Sequence, residues 1–214
     1  MKTNLVDLDN MIDLRPGTLM VVASRPGMGK TSLVRQIALN CAALYPESSQ
    51  AFWDLYKAPF TEYSVLAHES PDDLLDNMIR QKKCPKLLVI DSIEMFSIGK
   101  DAFVERADLV RRLKLLAAVT NSVIILTSNI NSSVDKLPTR RPGPSNIDDR
   151  YALMEVADIV IALLRRDYYD PLDKPGKCEL IICKNRGGRL GSVFTEWASK
   201  RQEVTDIFDP FATM

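Results

Sequence analysis

This sequence has one histidine, no long apolar run and no excess of either positive or negative charge. It has one histidine, and none of its four cysteines stands in a C-x-x-C pair, which argues against a zinc site. The 28 basic and 28 acidic residues cancel, which argues against a protein that coats nucleic acid through bulk charge. No apolar run approaches the roughly 20 residues that cross a bilayer, and no signal peptide opens the chain. We therefore expect a cytoplasmic protein with reduced thiols and no membrane contact.

The length and the alternation of patterns predict the fold class. The 214 residues are enough for one large core, and no boundary divides them, so we predict a single domain over residues 1–214 with a flexible tail at 203–214. Short β-branched runs alternate with helical periodicities, which predicts an α/β fold with a mainly parallel central sheet flanked by helices and antiparallel strands near the C-terminus. The predicted strands are 19–23, 51–55, 63–67, 86–91, 122–128, 158–164, 179–184 and 191–197. The predicted helices are 30–44, 70–83 and 101–120, and residues 130–150 are predicted to form a long loop.

A glycine-rich segment lies between the first predicted strand and the first helix. Such a loop turns backbone N–H groups inward around phosphate oxygens, and the helix N-terminus adds positive potential. Lys30 supplies a charge for the β- and γ-phosphates, and the Thr31 hydroxyl can bind Mg²⁺. Ser24 stands where glycine is commonest in such loops. The sequence predicts an ATP site formed by Ser24, Arg25, Pro26, Gly27, Met28, Gly29, Lys30, Thr31 and Ser32.

An acidic residue ends a later apolar strand, Leu87-Leu88-Val89-Ile90-Asp91. In a phosphate-loop fold, the carboxylate at the end of the neighbouring strand reaches the magnesium shell. Asp91 is therefore predicted to bind Mg²⁺ together with Thr31. A carboxylate that caps a helix is the alternative.

Several segments, in order, resemble the C-terminal motor domain of DnaB-family replicative helicases. Residues 25–31 are similar to the end of the family's A-R-P-S-M-G-K-T, residues 128–131 stand where it has S-Q-L-N, and residues 184–188 resemble its K-Q-R-N-G hairpin. The similarity extends from residue 5 to about residue 197. It implies a RecA-like P-loop fold, and ATP hydrolysis coupled to movement along single-stranded DNA within a hexameric ring of identical subunits.

The resemblance also implies roles for particular residues. Asn129 would sense the γ-phosphate through its amide, on a side chain that has a shorter reach than the family's glutamine. Lys184 and Arg186 would act on the nucleotide of the next subunit, Arg186 as an arginine finger, although a solvated basic turn is the alternative. The loops at 97–101 and 131–150 would line a channel. There Lys136, Arg140 and Arg141 would follow the phosphates of single-stranded DNA, unless the loop is merely solvated.

The family's catalytic glutamate has no clear counterpart. Its expected position falls near Tyr56, which cannot act as a carboxylate base. Glu69 is the candidate, in a segment similar to the family's L-E-M-P, although a first-turn acid that favours the helix dipole is an equal alternative. Asp54 and Glu62 are further candidates.

Two functions therefore stay open. The first is a DNA helicase motor. The second is a nucleotide-binding accessory or regulatory protein with little turnover, which the uncertain glutamate and the absence of the family's N-terminal domain and linker helix favour. A third possibility is a recombination or clock-type RecA-like ATPase. The hairpin at 184–188 argues against it.

Overall fold

The structure is a computed structural model that describes most of the chain. The described residues are 1–44, 71–82, 84, 86–96, 102–198, 200–201 and 203–207. The predicted strands at 51–55 and 63–67 lie outside them, as do Glu69 and its alternatives Asp54 and Glu62.

The elements alternate along the chain as an α/β fold requires. The described helices are α1 Val6–Asp9, α2 Lys30–Leu44, α3 Pro71–Gln81, α4 Ala102–Thr120 and α5 Arg150–Val156. The strands are β1 Leu19–Ser24, β2 Leu87–Ile90, β3 Val123–Asn129, β4 Ile159–Arg165, β5 Lys177–Asn185, β6 Gly191–Ala198 and β7 Glu203–Asp206.

Within the described residues, the strands form one sheet in the order β2-β3-β1-β4-β5-β6-β7. The first four in this order are parallel, and β5, β6 and β7 are added antiparallel. The predicted fold class is therefore confirmed. Nearly every residue of β1, β3 and β4 is buried, as expected of apolar parallel strands covered on both faces.

The direction of the parallel strands fixes where a ligand site can form. Ser24 is paired with Asn129, so β1 and β3 end side by side, and β2 ends next to β3. In open parallel sheets ligands bind outside these carboxyl ends. The segments that follow the three strands, including the glycine-rich loop, therefore meet at one edge of the sheet.

The predicted tail at 203–214 is corrected at its start. Residues Glu203–Asp206 are strand β7, which pairs with β6. Val204 is fully buried, its carbonyl accepts from Gln36 Nε2 at 2.5 Å, and its N–H donates to Gln36 Oε1 at 2.8 Å. The side chain of α2 thus satisfies backbone groups of the edge strand. Residues 208–214 lie outside the described part of the chain.

The segment 130–150 is more ordered than a plain loop. It contains two short 3-10 helices, Ser132–Lys136 and Pro144–Asn146, and Ile130 pairs with Ile147 across its base. The sequence did not predict α5, which begins at its end. In the described ranges, no helix has both the length and the apolar character that crossing a membrane needs.

Candidate nucleotide-binding site

The glycine-rich loop has the backbone that a phosphate cradle needs. Gly27 and Gly29 adopt φ values of +78° and +101°, a region that disfavours residues with side chains, and α2 begins at Lys30. Ser24 belongs to β1 and is fully buried, and its hydroxyl donates to the Arg25 carbonyl at 2.9 Å. A side chain is therefore accommodated where glycine is commonest.

The Lys30 side chain reaches the carboxyl end of β3. Its Nζ donates to the Ser128 carbonyl at 3.0 Å and to Asn129 Oδ1 at 2.6 Å. Burial lowers the pKa of Lys30, while the nearby carboxylates of Glu94, Asp91 and Asp148 act to raise it. The amine is thus held beside Asn129, the residue that is expected to sense the γ-phosphate.

Thr31 and Asp91 face each other across the exposed mouth of the site. The Thr31 hydroxyl donates to Asp91 Oδ2 at 2.5 Å, and Thr127 donates to the other carboxylate oxygen. Both Thr31 and Asp91 are exposed. A hydroxyl and a carboxylate are hard oxygen ligands that Mg²⁺ accepts along with water and phosphate oxygens. The residues present therefore fit the predicted magnesium site.

Sequence analysis did not identify Glu94 as a site residue. It lies on the 3-10 helix Ile93–Phe96, directly after Asp91 and Ser92. Its Oε1 accepts the Asn129 N–H at 2.9 Å, and its Oε2 is buried and has no hydrogen-bond partner. Glu94 thus fixes the backbone of the residue that holds Lys30. A single acid in a short turn gave no pattern from which this contact could be predicted.

Two aromatic side chains lie behind the loop. A Cβ atom added to Gly29 would come within 2.5 Å of Trp197 Cη2, and one added to Gly27 within 3.4 Å of the Tyr168 ring. Trp197 is 8% exposed, and the Arg165 guanidinium lies 4.6 Å from its ring centroid. Trp197 therefore supports the loop.

The remaining loop residues have other surroundings. Arg25 donates to the Ile130 carbonyl at 3.0 Å and pairs with Asp135 at 3.0 Å, so it contacts the segment after β3. Met28 is buried, Pro26 is exposed, and Ser32 lies in the first turn of α2.

The hairpin between β5 and β6 carries the two predicted finger residues. Lys184 Nζ donates to the carbonyls of Met154 and Glu155 at 2.7 and 3.1 Å, at the C-terminal end of α5. The pKa of Lys184 is lowered, first by burial and then by the charge of Arg186. The Arg186 side chain is 60% exposed and pairs through Nε with Asp158 at 3.3 Å. Arg186 is the more accessible of the two.

The three predicted DNA-contact residues are exposed. Arg141 donates through Nη2 to Glu179 and Ser192, at 2.8 Å in each case, which ties the segment to β5 and β6. The Arg140 guanidinium stacks 4.7 Å from the Tyr169 ring centroid. Lys136 is exposed on its 3-10 helix.

The environment of Asp148 predicts a pH-dependent stability difference. Burial, then the charges of Asp149 and Glu94, raise the Asp148 pKa above its usual 3.8. Its ionisation therefore opposes folding, and this penalty grows as pH rises through the raised pKa. The melting temperature of Asp148→Asn relative to wild type is expected to increase between about pH 4 and pH 7. Asp108→Asn, exposed on α4, is the control, and an equal trend in both variants would contradict this account.

Comparison with known proteins decides the family. The model of the family described as DnaB-like helicase C terminal domain matches residues 1–58 and 69–206. The chain belongs to this family. The Replicative DNA helicase DnaB of Buchnera aphidicola subsp. Schizaphis graminum is 22% identical over 84% of the chain and 49% of its own length. A probable plasmid replicative DNA helicase of Chlamydia psittaci is 25% identical over 86% of the chain and 50% of its own length.

Solved structures agree with this membership in the DnaB-like family. A solved domain described as an ATPase domain superposes with a TM-score of 0.77 at 20% identity, covering 97% of the chain and 91% of that domain. A DnaB-like replicative helicase, described with its interactions with primase, gives a TM-score of 0.74 at 20% identity over 97% of the chain and 62% of that protein. These likenesses establish the RecA-like fold. The chain spans about half the length of the two curated relatives named above.

Proposed function

We propose that this domain is the ATP-hydrolysing motor of a DNA helicase. The convergence of Lys30, Thr31 and Asp91 at the carboxyl ends of the parallel strands carries the proposal. A triphosphate in this position would contact the N-terminus of α2, where unpaired N–H groups and the helix dipole favour anions. Membership of the DnaB-like family supports the same function.

In this proposal, the side chains change partners when ATP binds. Lys30 leaves the Ser128 carbonyl and Asn129 to contact the β- and γ-phosphates, and the freed Asn129 amide meets the γ-phosphate. Thr31 and Asp91 would hold magnesium, which would neutralise phosphate charge. Glu69 remains the proposed base for the attacking water.

The position of Arg186 supports catalysis between subunits. Its partner Asp158 accepts the Leu19 N–H at 2.9 Å, so Arg186 lies at the amino end of β1. The phosphate loop follows the other end of this strand, about 17 Å away at the usual rise per residue. Arg186 is too far to serve its own nucleotide, and we propose that it completes the site of a neighbour in a ring, with Lys184 in the supporting role.

We further propose that the segment 131–150 contacts single-stranded DNA. Lys136, Arg140 and Arg141 are exposed on it and would follow the phosphate backbone. The segment is joined to the phosphate site because the Asp148 N–H donates to the Asn129 carbonyl at 2.9 Å. Loss of ATP would thereby change how the segment holds the DNA strand.

The test is ATP hydrolysis with and without single-stranded DNA. Wild-type protein is expected to hydrolyse ATP faster with DNA. The rate of ATP hydrolysis is expected to fall about a hundredfold or more in Lys30→Ala, because a charge that stabilises the transferred phosphate is removed. Lys200→Ala, an exposed lysine, is the control. ATP binding without turnover would favour the accessory protein instead, and no binding at all would contradict both functions.

A further inference from the structure

A pocket of about 310 Å³ lies beside the phosphate site. It is formed by the 3-10 helix Ile93–Phe96, the start of α4, both ends of the segment 131–150 and the start of α5. We call it the aromatic pocket, and its walls include Glu94, Phe103, Asn131, Asp148, Arg150 and Tyr151. Its volume is at the lower end of the range found for small-molecule sites. It would therefore hold one small group and not a long segment.

The two aromatic walls are unusually open to solvent. Phe103 is 49% exposed and Tyr151 is 65% exposed, although burying such rings is favourable. Their rings meet edge to face, with centroids 6.4 Å apart. The Arg150 guanidinium lies 4.3 Å from the Tyr151 ring centroid and donates to its hydroxyl at 2.8 Å. Exposed apolar rings beside a cation, with a polar rim, are typical of a binding surface.

The acidic wall decides which part of a ligand can enter. The Glu94 Oε2 atom is buried and has no partner, and Asp148 lies in the same wall. Asp149 is also in the pocket but pairs with Arg106 at 2.7 Å. These carboxylates repel phosphate and accept hydrogen bonds from amino groups, as acidic side chains accept from the cytosine amino group. A flat group with an amino edge fits, and a phosphate does not.

We propose that the aromatic pocket receives one base of single-stranded DNA. The base stacks on Phe103 and Tyr151, its amino edge donates to Asp148 beside Glu94, and its phosphate stays outside near Arg150. Stacking on aromatic side chains is how many proteins hold single strands. The proposal rests on the proposed DNA helicase function, to which it adds a base-binding site distinct from Lys136, Arg140 and Arg141.

Glu94 joins this pocket to the ATP site. Glu94 lines the pocket, and its Oε1 accepts the Asn129 N–H at 2.9 Å. Asn129 Oδ1 in turn accepts from Lys30 at 2.6 Å. A base that packs against Glu94 therefore acts on the residue that positions the phosphate lysine. Because coupling between two binding sites is reciprocal, the ATP analogue is expected to tighten DNA binding as DNA tightens ATP binding.

The experiment measures the affinity of the full chain for a labelled deoxycytidine oligonucleotide by fluorescence anisotropy, with Mg²⁺ and a non-hydrolysable ATP analogue. Tyr151→Ala and Phe103→Ala are each expected to weaken binding about tenfold, because a stacked base is lost. Tyr151→Phe keeps the ring and is expected to bind within about twofold of wild type. Phe194→Ala, 46% exposed on β6, is the matched control and is expected to have no effect. All variants must melt within a few degrees of wild type.

The failures of the two proposals are distinguishable. Wild-type protein that binds no oligonucleotide contradicts both the helicase function and the pocket. Wild-type binding that Tyr151→Ala and Phe103→Ala leave unchanged contradicts the pocket alone. An equal loss of affinity in Phe194→Ala would also contradict the pocket, because the effect would then not be specific to the rings that line it.

The ligand itself is tested by two further oligonucleotides. Thymine has no amino group, so the thymidine oligonucleotide is expected to bind more weakly than the deoxycytidine one, with Tyr151→Ala reducing the difference. An RNA of the same sequence is expected to bind more weakly than DNA. RNA binding that is tighter and equally sensitive to Tyr151→Ala would overturn the assignment to DNA.

Discussion

Arg186→Ala protein is expected to lose about a thousandfold in DNA-stimulated ATP hydrolysis while still binding ATP, because an arginine finger acts on charge that develops in the transition state. Lys30→Ala protein should also be inactive, but its Arg186 remains intact. Mixing the two variants is therefore expected to restore part of the activity, since some interfaces then pair a normal phosphate loop with a normal finger. Steady-state ATPase rates at fixed total protein measure this rescue.

A matched variant on the same hairpin separates catalysis from structure. Arg189 is exposed between the same two strands, and Arg189→Ala is expected to keep near-normal activity. Mixed assemblies of Arg186→Ala and Lys30→Ala that stay inactive at concentrations where the wild-type protein is active would count against a finger that acts across an interface.

Gly29→Ala is expected to damage both the stability of the domain and its binding of ATP. Its φ of +101° already disfavours alanine, and the new Cβ would lie 2.5 Å from Trp197 Cη2 and 2.6 Å from Cζ3. Trp197 is buried and stacked by Arg165, so it cannot swing away. Strain and overpacking together are expected to lower the free energy of unfolding by about 2–6 kcal/mol and to weaken ATP binding at least tenfold. Thermal melting and titration with an ATP analogue measure the two effects.

Gly17→Ala isolates the backbone contribution in this comparison. Gly17 has a φ of +85°, but a Cβ there would meet nothing closer than 3.8 Å. It should therefore show backbone strain without the clash and leave ATP binding unchanged. Gly29→Ala protein that melts no lower than Gly17→Ala protein would contradict the role given to Trp197.

Sequence patterns predicted those parts of the site that follow from local rules. A strand, a glycine-rich turn and a helix fixed the position of Lys30, and the apolar run before Asp91 marked a second parallel strand, which the sheet separates from β1 by β3. Because parallel strands end at one edge, Thr31 and Asp91 could be expected to lie at the same edge of the sheet. Of the antiparallel strands after β4, β5 and β6 were predicted, whereas β7 lies in residues that were expected to form a flexible tail.

The residues that sequence analysis missed depend on contacts between distant segments. Glu94 matters because its carboxylate meets the Asn129 backbone, and no spacing rule predicts such a contact. Trp197 meets Gly29 only after the sheet has formed. Helix α5 is a seven-residue element that starts from Asp149 at a φ of +53°. Residues with that conformation are usually in turns, so local propensity favoured a loop.

Strand β6 connects the phosphate loop with the hairpin that carries Arg186. Trp197, near the end of the strand, packs against Gly29 of the loop, and Gly191, at its beginning, adjoins the hairpin. A paired strand resists stretching, so a shift of the loop would displace the hairpin along the strand axis. If Arg186 reaches a neighbour, the ATP of each subunit would then set the distance between its finger and the next site, and hydrolysis would proceed around a ring in order and not at random.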